Sequence, residues 1–144
     1  KKKKIKTEGG LKLKKNKNKI KKIVKRFKRK KIRTSLFINA TLNDIKTSNE
    51  LKVDCIELHT GSLANLVKAK KNFSKEFNRI KRCSILASKL GLEVHAGHGL
   101  DYKTTKILSG IKEIKEFNIG HFIIGESIFY SLSKVIKKFK KIIK

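Results

Sequence analysis

Apolar residues recur along this chain in two rhythms, and their alternation outlines the fold before any other property is considered. After Gly9-Gly10, residues Ile20, Ile23, Val24 and Phe27 fall at three- and four-residue spacing between lysines. That is one amphipathic helix, over Asn16 to Lys30. Thr34 to Ile38 is a β-favouring run that stops at Asn39, and reads as a strand. Thr41 to Leu51 holds a short helix with Thr41 as its N-cap. Val53 to His59 is a second strand, ended by Thr60-Gly61. Leu66, Phe73, Phe77, Ile80 and Ala87 mark one long helix, closed by Gly91 as a glycine just past its end. A third strand, Leu92 to Ala96, runs into Gly97-His98-Gly99. Ile107, Ile111 and Ile114 line a further helix interrupted by Gly110, and a fourth strand spans Phe117 to Ile124. Ile128, Leu132, Val135, Ile136, Phe139, Ile142 and Ile143 form the stripe of a last helix.

The order is helix, then strand–helix four times, which predicts an α/β fold with a parallel sheet and right-handed crossovers. Four such units do not close an eight-stranded barrel, which takes about 250 residues. Two architectures remain open: a small open sheet, or the back half of a barrel. No linker composition divides the 144 residues, so a single domain is expected. Met is absent throughout, position 1 included, which predicts a piece of a longer chain. No apolar run approaches the roughly 20 residues that cross a bilayer. Lys1 to Lys4 open the sequence with no apolar stretch behind them, so no secretory signal is expected. Cys55 and Cys83 lie in apolar-patterned segments and read as reduced thiols of a cytoplasmic protein.

A formal net charge of +28 first suggests a polyanion partner. Residues 1–33 carry 19 Lys and Arg against the single acid Glu8, whereas the other 111 residues carry 20 against 10. A nucleic-acid arm would add Arg, Gly and aromatic residues for bidentate and stacking contacts. Here the bases are nearly all Lys, accompanied by Ile and Asn, residues that share A/T-rich codons. A solvated, composition-driven surface is the expectation. A basic nucleic-acid-binding protein is the alternative, and weak nonspecific binding at low salt is expected on either view.

All four histidines lie on or just past predicted strands, and His59, His98 and His121 fall near their carboxyl ends. Those ends form the face on which parallel α/β folds build active sites. Strand alternation puts Cys55, Glu57 and His59 on one face. A carboxylate on a strand buried from both sides costs roughly several kcal/mol unless a donor or ligand meets it. Glu57 is therefore expected to be paired or to face a substrate. On the third strand His98 tops the face of Val94 and Ala96, and His95 points the other way as a structural residue. Gly97, Gly99, Gly120 and Gly125 flank these positions. Glycine turns let amide N–H groups approach an anion, although they serve equally as plain turn formers. Nothing matches a zinc ligand set, a Walker loop or a dinucleotide fingerprint.

Five blocks then carry a resemblance. Thr7-Glu8-Gly9-Gly10-Leu11, Ser35-Leu36-Phe37-Ile38, Ile56-Glu57-Leu58-His59-Thr60-Gly61, Ala96-Gly97-His98-Gly99-Leu100 and Asn118-Ile119-Gly120-His121 resemble pyridoxine 5′-phosphate synthase in order and spacing. The resemblance covers the whole chain. It implies a (β/α)8 TIM barrel of which this chain supplies about strands five to eight, in a cytoplasmic homo-octamer. The implied reaction condenses 3-amino-2-oxopropyl phosphate with 1-deoxy-D-xylulose 5-phosphate, without metal or organic cofactor. By motif, His98 is implied as the proton donor and Glu57 as the glutamate that stabilises the transition state. Thr7 is implied at the xylulose phosphate, and Gly99, Gly120 and His121 at the amino-oxopropyl phosphate. Asn39 and His95 depart from the family pattern, which has Asp and Asn there. The family's front half, with a further catalytic His and Glu, is not in this sequence, so the stretch is expected to be inactive alone.

Overall fold

Four strands, β1 (Ser35–Ile38), β2 (Cys55–His59), β3 (Glu93–Gly97) and β4 (Ile114–Asn118), pair in parallel in the order β1-β2-β3-β4. This is the computed structural model of the chain, and it describes residues 9–143. The helices are α1 (Leu13–Arg29), α2 (Leu42–Glu50), α3 (Gly61–Lys68), α4 (Ser74–Lys89), α5 (Tyr102–Leu108), α6 (His121–Phe129) and α7 (Leu132–Ile143). Sequential parallel strands joined by crossovers of one hand carry their helices to one side of the sheet. The two faces differ accordingly. Leu36, Ile38, Ile56, Leu58, Val94 and Ala96 are buried in the core beneath the helices. The other face carries Ser35, Phe37, Cys55, Glu57, His59, Glu93, His95, Gly97, Glu116 and Asn118, and is only partly covered.

Local chemistry accounts for most of the elements. The Thr41 hydroxyl accepts from Asp44 N–H at 3.1 Å, as expected of the N-cap of α2. Gly91 has φ +79° one residue past the C-cap of α4, as expected of a closing glycine. In α1, Leu13, Ile20 and Val24 are buried while its lysines and arginines are exposed. The helix begins at Leu13 rather than Asn16 because Leu13 anchors it in the core.

Four expectations are corrected. The single long helix is two, α3 and α4. Lys70, at φ +53°, donates to the Val67 carbonyl and Lys71 to that of Leu66, which closes α3 without a glycine. Asn72 then accepts from Ser74 N–H to start α4. Ile111 and Ile114 do not extend a helix: α5 ends at Leu108, and Ile114 opens β4. The fourth strand accordingly spans Ile114–Asn118, and residues 121–124 are helical. Ile128 belongs to α6 and is largely exposed, so the last stripe is confined to α7, where Val135 and Phe139 are buried. Cys55 and Cys83 are free and buried, and burial pushes both thiols up.

Candidate active site

Residues from β2, β3 and β4 converge at the carboxyl end of the sheet. Glu57 Oε2 accepts from Asn118 Nδ2 at 2.8 Å, linking β2 to β4 across the whole width of β3. Neighbouring strands lie about 4.8 Å apart, so the carboxylate must lie over the intervening strand. Gly97 makes room for it. A Cβ at that position would overlap Glu57 Oε1 and lie 3.3 Å from Asn118 Cβ. Glu57 is half-buried on the face the helices leave uncovered, so the full cost of a doubly buried strand does not apply to it.

His98 departs from its expected side. Its φ is +78°, a left-handed conformation that costs a non-glycine residue about 1–2 kcal/mol. This turn takes the side chain out of strand alternation, away from the face of Val94 and Ala96. Its ring instead stacks on His59, with centroids 4.6 Å apart and planes 22° apart. Phe37 lies against the same His59 ring at 5.4 Å. The backbone beneath is held by Thr60, wholly buried, whose hydroxyl lies 2.8 Å from the Gly97 carbonyl and 2.7 Å from that of His98. Its single hydroxyl hydrogen is shared between the two. Thr60 N–H also donates to the Gly97 carbonyl, at 2.9 Å.

Gly99 follows His98 and is exposed beside Ala64 and Gly61. Gly120 and His121 open α6 just past β4, at the same end of the sheet and exposed. Their helix is tied down by Phe122, whose ring meets Tyr102 at 4.9 Å and Phe139 at 6.0 Å. Thr7 lies outside the described residues. The structure thus places Glu57 over Gly97 and the ring of His98, the next residue, against His59, both at the carboxyl end of the sheet, while Gly120 and His121 share only that end.

His95 points away from the face of Val94 and Ala96, as expected, and is buried on the same face as Glu57, its partner in strand register. Its Nε2 lies 2.8 Å from Glu93, and its Nδ1 3.5 Å from Glu116. Glu93 also pairs with Arg33 at 2.6 Å. The Arg33 hydrogen bond, followed by that from His95, pulls the Glu93 carboxyl down to about 2. Among the described residues no three His, Cys, Asp or Glu side chains are grouped to hold a metal ion. Sequence reasoning missed Asn118, Thr60 and Gly61 as site builders. The apolar pattern carries the fourth strand from Phe117 to Ile124 and so hides Asn118, whereas the strand itself ends at residue 118 and puts this asparagine at the carboxyl end.

Comparison with known proteins places the geometry in a family. The profile described as pyridoxal phosphate biosynthesis protein PdxJ matches residues 1–144. A relative from Pelagibacter ubique, named pyridoxine 5′-phosphate synthase, is 61% identical over 99% of this chain and 59% of its own length. Proteins of the same name from Sulfurihydrogenibium and Campylobacter lari are 43% and 39% identical, each over 96% of this chain and 56% and 62% of their own lengths. The chain therefore spans about three fifths of the relatives it matches. On the profile match and these identities together, the chain belongs to the PdxJ family of pyridoxal phosphate biosynthesis proteins.

Proposed function

We propose that this chain is the carboxyl-terminal part of a pyridoxine 5′-phosphate synthase and works only with the rest of that enzyme. The supporting observation is that Glu57, lying over Gly97, and His98, whose ring stacks on His59, both stand at the carboxyl end of a parallel sheet. The substrates are 3-amino-2-oxopropyl phosphate and 1-deoxy-D-xylulose 5-phosphate, condensed with release of phosphate and water. Loss of water and phosphate needs a proton donor, and an imidazole, able both to give and to take a proton, suits that role at His98. Glu57, its second oxygen held by Asn118, stabilises the positive charge that develops beside it as the ring closes. The first-turn amides of α6, opening at Gly120-His121, with Gly99, receive the amino-oxopropyl phosphate. Thr7 contacts the xylulose phosphate. No metal or organic cofactor takes part.

The four strand–helix units are strands five to eight of a (β/α)8 barrel. Two observations at the sheet edges favour this. At the β1 edge, Leu11 N–H donates to the Phe37 carbonyl at 2.8 Å, so the backbone at Leu11 meets the free edge of β1. Past the β4 edge, Ile124, Ile128, Phe129 and Leu132 stand 52–80% exposed, an apolar surface suited to a further unit of the barrel or a neighbouring subunit. The enzyme is a cytoplasmic homo-oligomer, an octamer as in its family, with no specific nucleic-acid or membrane partner. Among the described residues no helix is long and apolar enough to cross a membrane.

Joining the amino-terminal part of the Pelagibacter ubique relative to this chain and assaying pyridoxine 5′-phosphate tests the proposal. The joined protein should turn over, and residues 1–144 alone should not. Glu57→Gln and His98→Asn should each cost about 10²-fold or more in kcat. Turnover by the isolated chain, or a folded joined protein without any, overturns it. Duplex binding by the chain should be weak, independent of sequence and lost at moderate salt.

A further inference from the structure

We infer that His59 is a positioning residue for His98: its ring, stacked face to face, fixes the direction in which His98 presents its proton. The inference rests on the proposed reaction and adds to it a residue which that reaction leaves without a task.

Three features of the short segment His59-Thr60-Gly61 act on His98, each by a different means. The His59 side chain provides the stacking surface, at 4.6 Å and 22°. The Thr60 hydroxyl holds the carbonyls of Gly97 and His98, and so the left-handed turn from which the His98 ring projects. Gly61 provides space: a Cβ there would stand 2.7 Å from His59 Cε1 and 2.7 Å from His98 Cδ2. Behind His59, Phe37 meets its ring at 5.4 Å. A row of rings therefore runs over the ends of β1, β2 and β3, and His98 is its last member.

Stability does not account for this row. Glycines stand on both sides of His98, and a third at position 98 would take up the left-handed turn without strain. A histidine there spends conformational energy to put an imidazole at one place on the rim. Proton transfer depends steeply on such placement, about 10²-fold for a displacement of 1 Å. The His59 ring lies flat against one face of the half-buried His98 imidazole and so bounds the directions that this ring can take.

Two measurements test this. In the joined enzyme, His59→Leu should lower kcat at least tenfold and change KM less than twofold, while His59→Phe, which restores a planar face, should recover most of the loss. Gly61→Ala, which forces the rings apart, should act like His59→Leu. In the chain of 144 residues, the His98 ring protons should show the upfield displacement of a stacked ring by NMR, lost in His59→Leu and kept in His59→Phe. A kcat shared by His59→Leu and the parent overturns the inference. So does an equal loss in the Phe and Leu variants, or a His98 ring shift indifferent to residue 59. A folded, unsubstituted joined enzyme without turnover sinks the proposed function itself, a failure visible before any variant is compared.

Discussion

Replacing Lys31, Lys52 and Lys70 together by glycine should stabilise the chain, by an amount the backbone lets us work out. Each of these lysines sits one residue past a helix C-cap, after α1, α2 and α3, at φ +55°, +57° and +53°. Each donates its N–H back to the helix it closes, to Lys28, Asn49 and Val67. The same position after α4 is Gly91. A left-handed L-residue costs about 1–2 kcal/mol, and the greater freedom of glycine in the unfolded chain returns about 0.5–1 kcal/mol of that. The net gain is about 0.5–1 kcal/mol per site. All three lysines are exposed, so no packing is lost. Their favourable contact with the helix ends, about 0.3 kcal/mol each, is offset in a chain of net charge +28 by reduced self-repulsion. Sites on separate helices with no shared partner add, giving about 1.5–3 kcal/mol in total. With a urea slope of about 2 kcal/mol/M, the unfolding midpoint should rise by about 1 M at unchanged slope. The matched Lys→Ala triple variant is the control, since alanine pays the same backbone cost. A glycine variant no more stable than the parent, or an alanine variant that gains as much, refutes the backbone account.

Other perturbations act on the site and its surroundings. Gly97→Ala should displace the Glu57 carboxylate and break its hydrogen bond with Asn118, visible as a shift of the Asn118 side-chain amide signals; unchanged signals would contradict the packing described. Thr60→Val removes the hydroxyl that two buried-side carbonyls share and should cost about 1–3 kcal/mol in chemical denaturation, whereas Thr60→Ser should cost much less. Glu93 is held at about 2 in the fold against 4.5 ordinarily, so the unfolded chain binds the extra proton first. Its contribution to stability is complete above about pH 4.5 and is lost as pH falls through about 2. Arg33→Gln should flatten that acid limb, and a Glu93 carboxyl that titrates near 4.5 by NMR in the parent would refute the assignment.

How far the chain could be read without coordinates depended on the distance over which each feature is decided. Strand–helix alternation, the Thr41 cap and the Gly91 close were legible because each rests on neighbours a few residues away. The break between α3 and α4 was hidden for a chemical reason: in a lysine-rich chain, Lys70 takes the left-handed position that a glycine would have advertised. Ile111 and Ile114 misled because short apolar runs satisfy helix and strand spacing alike. Ile114 was settled as strand by pairing with Val94, twenty residues back.

By itself, then, the amino-acid order determined a parallel α/β sheet, a lysine-rich exposed first helix, and Glu57 and His98 as the residues to watch at the carboxyl end of the sheet. Only the tertiary structure decided what those residues touch. The Glu57–Asn118 hydrogen bond spans 61 positions and the Thr60 clamp on the Gly97 and His98 carbonyls spans 37 and 38, separations on which local periodicity is silent. The direction of the His98 ring was likewise beyond it. Alternation holds only while the backbone stays extended, and at His98 the left-handed turn ends the strand rule and hands the side chain to His59.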